Sequence, residues 1–488
     1  MQSSYQKTAK DTIYIGIAIL IQFLVGLVQL PLLTKTLGAY DYGVWAQVQV
    51  TVGLILPLSI LGLNNAMVRF LAAEKNKKEL QEGFYSVVLV ILLVNFIVAL
   101  TVIIFAHPLA MNFFNGTDQI GIVRLTGILI LITPVSSIYL MLIRTFQQVR
   151  RYSIITVTES CIRVGLIAFL VLNGYGIFSV IVSLLATKAL ILIILFFLIT
   201  SQIGIRRPHF LRIKEYLRFG LPIIPASLSF WVIRLSDRYV IGFFLGLTSV
   251  GIYSAAFTIG YYSYTIVGVL SFVLLASLSK LYDEGKMNEV KIHLSYSLKY
   301  LLTIIIPFAF GAAILAEPIL MMFSTEEIAS QGHFVTPLAA LATLFLGIAS
   351  IVQFILILTK KTITGATIWT ITAALNIGFN MLLVPRMGIL GAAITTLFVN
   401  FLAMGFIIYY SFKEFKFSIN WHFIIKSLVA SIIMSLVVWL MAPQGALHTI
   451  LTVMTGILIY GVILMLLRGF SKEEMRFFWG LFRQSAVR

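Results

Sequence analysis

The stretch Phe84–Ala106 reads FYSVVLVILLVNFIVALTVIIFA and contains no Asp, Glu, Lys or Arg. A bilayer core is about 30 Å thick, and a helix needs about 20 mostly apolar residues to cross it. Inside lipid, every backbone N–H and C=O must be paired within the segment, so this stretch is predicted to be a transmembrane α-helix. The strands of a membrane barrel would instead alternate in hydrophobicity over about ten residues.

Stretches of the same kind recur along the whole chain. Hydrophobic residues make up 60% of the 488 residues and charged residues 11%, whereas a soluble domain carries about 25% charged residues. The mean hydropathy is +1.02. We therefore predict an all-α integral membrane protein that crosses the cell (inner or plasma) membrane with fourteen helices. The predicted spans are 12–36, 41–63, 84–106, 120–143, 153–173, 176–199, 219–244, 249–279, 294–315, 334–358, 362–385, 388–411, 421–442 and 446–467.

Lysines and arginines are distributed unevenly among the loops that these spans define. If the N-terminus is cytoplasmic, 28 of the 35 Lys and Arg residues fall in cytoplasmic loops or tails. Four others lie within spans, and the last three, Lys35, Arg124 and Arg386, lie on the outer side. Cytoplasmic loops collect Lys and Arg, so both termini are predicted to be cytoplasmic. A missed span would invert every later loop and remove this asymmetry.

A short motif occurs twice in the chain. Leu37–Trp45 and Leu245–Tyr253 share the pattern LG-x4-G-[VI]-aromatic at an offset of 208 residues, and a weaker Gly-Ile echo at Gly176 and Gly388 has an offset of 212. Six spans separate the copies, so the two halves enter the membrane in the same direction, as in transporters whose substrate path runs between parallel repeats. The predicted domains are an N-lobe of six spans (1–204), a cytoplasmic amphipathic linker (205–218), a C-lobe of six spans (219–412), and two further spans with a cytoplasmic tail (413–488).

Six charged residues are predicted to lie within spans, where a charge costs about 2.5–3.5 kcal/mol on insertion scales. Four are cations and two are acids, an excess that is poor for a cation carrier. It suits a doubly charged anionic headgroup such as a diphosphate, because Arg binds phosphate oxygens bidentately and stays charged when desolvated. The candidate substrate-binding cations are Arg163, Lys188, Arg234 and Arg238, and the acids, which are also candidates for ion coupling, are Glu159 and Asp237.

The spacing of the first group leaves two interpretations open. Glu159 and Arg163 are four residues apart and share a helix face. They form either a structural ion pair or a site that faces the lumen. Lys188 is either a member of that site or simply the partner of Glu159.

The second group lies on one predicted span. Asp237 can neutralise only one of Arg234 and Arg238 at a time, and Arg234 is expected to face the central cavity. Three further cations at span ends are interpreted as headgroup anchors or as cations at the cavity entrance. These are Arg69 and Arg144 at inner ends and Lys35 at an outer end.

Several function classes are disfavoured. The six histidines contain no i, i+4 pair, so no metal site is predicted. The chain lacks a G-x4-G-K-[ST] loop, and no predicted outer loop exceeds about 20 residues, which leaves no room for an extramembrane catalytic domain. The net charge of +17 is spread over short loops, so nucleic-acid binding is not expected. The remaining class is a secondary transporter without catalytic residues.

Several motifs carry a resemblance to a known family. The pattern FGLP-x2-P begins at Phe219, LSDRY at Leu235 and LG-x4-G-x-Y-S at Leu245. The pattern N-x3-N-x4-P-x2-G-x2-GAA begins at Asn376, and RTFQQ begins at Arg144. With the fourteen spans, these motifs resemble the polysaccharide transporter (oligosaccharide or O-antigen flippase) family of the multidrug/oligosaccharidyl-lipid/polysaccharide flippase superfamily.

This resemblance implies two pseudo-symmetric six-helix lobes in a V-shaped arrangement. It implies a flippase that moves a polyprenyl-diphosphate-linked oligosaccharide from the inner to the outer leaflet by alternating access. No cofactor is expected, apart from coupling to H+ or Na+. The expected partners are that lipid, other membrane lipids, and the glycosyltransferases and polymerase of the same pathway, with the chain acting as a monomer. Two related activities stay open, namely a peptidoglycan lipid-precursor flippase and a multidrug/cation antiporter, and the cation excess opposes the second.

Overall fold

The computed structural model describes residues 2–72, 74, 76–114, 116–471 and 474, which form helices joined by short turns. Twelve helical stretches within these ranges are long and apolar enough to cross a membrane. Helices are the expected form, because each pairs its backbone groups internally. The protein is therefore an all-helical, multi-pass membrane protein. In chain order the helices are α1 Gln2–Ser59, α2 Leu63–Phe70, α3 Lys77–Ile104, α4 Ala106–Phe113, α5 Ile120–Thr145, α6 Val149–Leu172, α7 Gly176–Ile203, α8 Ile213–Gly220, α9 Ile224–Leu245, α10 Leu247–Tyr261, α11 Thr265–Asp283, α12 Met287–Phe323, α13 Glu326–Gly332, α14 Val335–Val352, α15 Phe354–Leu358, α16 Thr362–Met387, α17 Ile389–Glu414, α18 Trp421–Met441 and α19 Gly445–Leu466.

Two places separate these twelve stretches from the fourteen predicted spans. Helix α1 is long enough for two spans, and its backbone breaks at Gly38, where φ is 79° and ψ is −178°. A positive φ of this size favours glycine, which has no Cβ to clash. Helices α10 and α11 are separated by the 3₁₀ turn Tyr262–Tyr264 and are not among the twelve.

The chain divides into two compact units. The first comprises Met1–Ala255, Phe323–Ile328 and Thr362–Val399. The second comprises Ala256–Met322, Ala329–Lys361 and Asn400–Arg488. Helix α9 packs against both α1 and α16, so the first unit contains helices from both copies of the sequence repeat. The lobes expected from that repeat, 1–204 and 219–412, stay a prediction.

Helix α5 organises the interior of the first unit. It packs against α1, α3 and α7, and most of its apolar side chains are buried. At Gly127 the neighbouring helix approaches closely, because an added Cβ would lie 2.8 Å from the Ile103 side chain. Helix α6 packs on α1 and α7 beside this core, and this arrangement brings Glu159 and Arg163 of α6 next to Lys188 of α7.

The predicted linker begins with coil and continues into α8. Tyr216 of α8 is buried, and its ring stacks on Phe70 at 5.2 Å. Arg212 is paired with Glu74 at 3.1 Å and with Glu79 at 2.5 Å. This arginine of the linker therefore contacts acids of the protein, and the expected contact of the linker with lipid headgroups stays a prediction.

The membrane orientation is also a prediction. Several of the cations that support it lie outside the described residues or have side chains outside the description. These are Lys7, Lys10, Lys75, Lys472, Arg476, Arg483 and Arg488.

Candidate functional site

Helices α6 and α7 bring three of the predicted site residues together. Glu159 and Arg163 are one helical turn apart on α6 and share a face. Lys188 lies on α7, and its Nζ atom is 2.5 Å from Oε1 of Glu159. Lys188 is thus the ion-pair partner of Glu159, and its role in binding substrate stays a prediction.

The guanidinium of Arg163 has a hydrogen-bond donor that is not used within the described part of the chain. Its Nε atom is buried, and no described residue accepts a hydrogen bond from it. The hydroxyl of Thr187 on α7 is also buried and has no hydrogen-bond partner among the described residues. A buried polar group without a partner costs about 1–3 kcal/mol. Both atoms therefore favour a polar ligand or water at this place.

These groups line one small cavity in the first unit. Its volume is about 70 Å³, above the roughly 10–15 Å³ that a single water molecule requires. Two cations and one acid face it, so the lining has an excess of positive charge. This volume is well below the roughly 300–1,000 Å³ of typical small-molecule sites. The polar and charged lining residues are Gln49, Thr133, Glu159, Arg163, Thr187 and Lys188.

Asp237 and Arg238 form a second buried charged group. The Arg238 NH1 atom donates to Oδ1 of Asp237 at 2.6 Å and to the carbonyl oxygen of Arg234 at 2.7 Å. The Tyr253 hydroxyl donates to Oδ2 of Asp237 at 2.5 Å, and the Arg238 guanidinium lies 5.0 Å from the Tyr253 ring centroid. Asp237 and Arg238 are 1% and 5% exposed. This group is neutral and fully packed.

Arg234 precedes that network by one turn of α9 and is only partly buried. Its guanidinium lies 5.4 Å from the centroid of the Phe230 ring. Asp237 is thus hydrogen-bonded to one of the two arginines, Arg238. Of the two, Arg234 is the more accessible.

The three predicted entrance or anchor cations are exposed. Lys35 lies in the last turn before the break of α1, and Arg144 lies in the last turn of α5. Arg69 lies in the last turn of α2, with its guanidinium 4.9 Å from the Phe219 ring centroid. These positions are compatible with either predicted role.

The two copies of the LG-x4-G motif contact each other in the first unit. A Cβ atom on Gly43 would overlap the carbonyl oxygen of Leu247, and one on Gly251 would overlap the carbonyl oxygen of Ala39. Each motif also has its first glycine at positive φ, 79° at Gly38 and 83° at Gly246. The second half of α1 and the start of α10 therefore meet backbone to backbone, in a pseudo-symmetric contact.

A second glycine contact lies at the other end of the same half-helix. A Cβ atom on Gly220, within the FGLP motif, would lie 2.5 Å from the carbonyl oxygen of Leu61. A Cβ atom on Gly62 would overlap the Gly220 carbonyl oxygen, and Gly62 has a φ of 66°. Residues 39–59 thus run between two contacts that only glycine permits.

Sequence reasoning missed Tyr253, Thr187 and the Gly62–Gly220 contact as parts of these arrangements. Tyr253 is the aromatic residue of the second LG-x4-G motif, and that position was a usable signal. Thr187 directly precedes Lys188, but a threonine in an apolar helix gives no signal of its own. Among the described residues, no group of three or more His, Cys, Asp or Glu is positioned to hold a metal ion.

Comparison with known families identifies two matching models. The model described as "Polysaccharide biosynthesis protein" matches residues 8–281. A second model, MatE, matches residues 222–382. The first match covers more than half of the chain, including both copies of the LG-x4-G motif.

Individual relatives are more distant. The chain is 20% identical over 372 residues to the "Probable low-salt glycan biosynthesis flippase Agl15" of Haloferax volcanii, covering 74% of each chain. It is 22% identical over 326 residues to the "Succinoglycan biosynthesis transport protein ExoT" of Rhizobium meliloti, covering 66% of this chain and 62% of the relative. A solved structure of the "Lipid II flippase MurJ, inward closed conformation" superposes with a TM-score of 0.80 at 19% identity, over 93% of this chain and 99% of the other. That likeness concerns the fold.

Proposed function

The chain belongs to the polysaccharide biosynthesis protein family, and from this membership we propose that it is a flippase for a lipid-linked oligosaccharide. Two relatives are named as a glycan flippase and a succinoglycan transport protein. We further propose that the substrate is a polyprenyl-diphosphate-linked repeat unit of an O-antigen or exopolysaccharide, carried from the inner to the outer leaflet of the cell membrane.

The observation that carries this proposal is the buried Nε atom of Arg163, which lacks a partner among the described residues. It lies beside the Lys188–Glu159 ion pair in the cavity between α6 and α7. A diphosphate would accept hydrogen bonds from Arg163, because guanidinium and phosphate match bidentately. It would also compete with Glu159 for Lys188.

The cavity must open before a diphosphate enters, and the glycine contacts suggest how. At Gly43 and Gly251 two helices pack backbone to backbone, with no side chain between the two glycines. We propose that the half-helix 39–59 moves between its two glycine contacts during alternating access. Arg234 then supplies a further cation, while the Asp237–Arg238 network holds α9 rigid.

The remaining finer assignments belong to the same proposal. The break at Gly38 divides α1 into two spans, and α10 with α11 supplies one more, which together give fourteen spans with cytoplasmic termini. Arg69, Arg144 and Lys35 then lie at the ends of the path. The chain acts as a monomer beside the glycosyltransferases and polymerase of its pathway.

An ion gradient is proposed as the driving force. Asp237 is buried and Glu159 is partly buried, and protonation of either acid would release its cationic partner. Glu159→Gln and Asp237→Asn should then flatten the dependence of flipping on pH or sodium. An unchanged dependence in both variants would remove this coupling step and leave the flippase assignment intact.

The activity is tested by reconstituting the full chain in liposomes with a fluorescent polyprenyl-diphosphate oligosaccharide. Arg163→Ala should slow flipping by about tenfold or more, because it removes a charged hydrogen-bond donor. Arg124→Ala removes an exposed cation of α5, and this variant should flip the lipid at the wild-type rate. Equal rates for the two variants would contradict the assignment of Arg163.

A second candidate is a flippase for the peptidoglycan lipid precursor. The fold similarity to the lipid II flippase structure, over 93% of this chain, favours it. The same liposomes loaded with a labelled peptidoglycan precursor distinguish the two, since the substrates share the diphosphate and differ in the sugars. Transport of the precursor alone would replace the oligosaccharide assignment.

A further inference from the structure

The second unit contains a large cleft that the proposed transport does not use. It lies where the start of α12, the start of α18 and the residues after α19 meet. Its volume is about 1240 Å³, at or above the upper end of the roughly 300–1,000 Å³ of small-molecule sites. The lining combines basic and aromatic side chains. Those that matter here are Tyr296, Lys299, Trp421, His422, Lys426 and Arg468.

One wall of the cleft is electrostatically compensated. Lys299 donates to both carboxylate oxygens of Glu474, at 2.7 and 2.8 Å, and both side chains are buried. The Lys299 ammonium also lies 5.1 Å from the Phe423 ring centroid and 5.2 Å from that of Phe470. This wall therefore contributes shape without net charge.

The open side of the cleft carries the net charge. Lys426 donates to the backbone carbonyl oxygen of Arg468 at 3.0 Å, and both residues line the cleft. Neither forms an ion pair with an acid among the described residues, and Glu474 is the one acid among the lining residues. Because Glu474 is paired with Lys299, the rim keeps a formal charge of about +2. His422 adds a further hydrogen-bond donor.

The aromatic residues indicate the depth at which the cleft opens. Trp421 is the first residue of α18 and is 63% exposed, and Tyr296 is 43% exposed. Trp and Tyr at helix ends mark the headgroup level of a bilayer. The cleft therefore opens where phospholipid phosphates are concentrated, and basic pockets between transmembrane helices bind such headgroups.

We propose that this cleft binds the phosphate headgroup of an anionic phospholipid, with Lys426 and Arg468 as its direct partners. The phosphate lies at the rim between them, the acyl chains extend along the exposed apolar faces of α18 and α19, and Trp421 packs on the glycerol region. This site is separate from the Arg163 cavity, and its occupancy does not depend on the transported substrate.

Native mass spectrometry of the full-length protein in detergent tests the proposal, with phosphatidylglycerol as the probe and phosphatidylcholine as the neutral comparison. The double variant Lys426→Gln/Arg468→Gln should bind phosphatidylglycerol about twenty-five-fold more weakly, from about fivefold per cation removed. Phosphatidylcholine binding should not change. A matched double variant, Lys360→Gln/Lys416→Gln, removes two exposed cations of the same unit outside the cleft and should bind like the wild type.

Equal binding by the cleft variant and the wild type would overturn the proposal, as would equal weakening in the control variant. Inorganic phosphate added at millimolar concentration distinguishes a free phosphate from a lipid. Full displacement of phosphatidylglycerol by it would assign the cleft to a soluble phosphate and overturn the lipid interpretation. Since no step measures transport, failure here leaves the proposed flipping activity untouched.

Discussion

Gly43 and Gly251 meet backbone to backbone, as equivalent residues of a motif repeated 208 residues apart. A Cβ atom on Gly43 would lie 3.1 Å from the backbone nitrogen of Gly251, and the reverse distance is 3.0 Å. Real Cβ contacts are rarely so short, so the helices that carry these residues can approach this closely only with glycine at both positions. The two copies of the sequence repeat thus contact each other in the folded protein.

Gly43→Ala and Gly251→Ala should each destabilise this contact. The added methyl group would overlap a backbone carbonyl oxygen, which cannot move aside as a side chain can. Overpacking of this kind typically costs about 1–3 kcal/mol. Thermal unfolding in detergent should show a lower melting temperature for both variants, and flipping should change with it. Gly165→Ala is the matched control, because its Cβ would have nothing within 4 Å; an equal loss there would contradict the contact.

Gly220→Ala tests the contact at the other end of the half-helix. Its Cβ would lie 2.5 Å from the Leu61 carbonyl oxygen, so the end of α8 would have to shift away from Gly62. We expect a lower melting temperature and faster proteolysis of the segment around residues 205–220. Gly378→Ala lies in a helix with open space at its Cβ and should behave as the wild type. Wild-type proteolysis of Gly220→Ala would show that this contact is dispensable.

The sequence predicts the helices because the length of an apolar run is nearly sufficient to define a membrane helix. It also placed Glu159 and Arg163 on one face, since that follows from helical geometry alone. It left the partner of Lys188 open, because α7 is apolar on all sides and its composition does not define its rotation toward α6. A contact between distant segments, such as that of Gly62 with Gly220, cannot be predicted from the residues next to either glycine, because a glycine within an apolar run has no distinctive pattern around it.

The Asp237–Tyr253 hydrogen bond illustrates the same limit. Both residues belong to motifs that were visible in the sequence, but the turn at Gly246 determines how α10 folds back on α9. The sequence therefore indicates a charged group on α9 and an aromatic position shared by the two copies of the motif, without indicating that the tyrosine hydroxyl points to the carboxylate.

Asp237→Asn should be strongly destabilising. It leaves the Arg238 guanidinium buried without its counter-charge, and breaking a buried ion pair from one side costs about 3–5 kcal/mol. Tyr253→Phe removes the hydrogen bond to the carboxylate but leaves the ion pair in place, and should cost about 1.5–3 kcal/mol. Urea or thermal unfolding in detergent measures both, and Tyr175→Phe, at an exposed tyrosine, is the control.

The double variant Asp237→Asn/Arg238→Gln separates charge from packing. It removes both charges, so it should recover part of the stability that Asp237→Asn loses, with a coupling energy of about 0.5–3 kcal/mol between neighbours. Strictly additive losses would show that the two side chains contribute independently, against the network that the structure describes.

Glu474 makes the contact between α12 and the residues after α19 dependent on pH. Burial acts to raise the pKa of the Glu474 carboxyl, but hydrogen bonds from Lys299 and from the Ser471 backbone N–H outweigh it, and the pKa lies below its ordinary value. A carboxyl with a lowered pKa adds stability at pH values above its unfolded-state pKa of about 4.3 and loses it as the pH falls through the lower folded-state pKa. The contact should therefore be intact at pH 7 and weaken as the pH falls below about 4.

Tryptophan fluorescence between pH 7 and pH 3 measures this change, because Trp421 lies in the same cleft. The wild type should show an emission change on acidification. Glu474→Gln cannot ionise, so it should show a weaker contact already at pH 7 and lack that acid step. The variant Glu414→Gln is the comparison, since it removes an acid of the same unit that pairs with Lys361 outside the cleft. A persistent acid step in Glu474→Gln would assign the titration to another group.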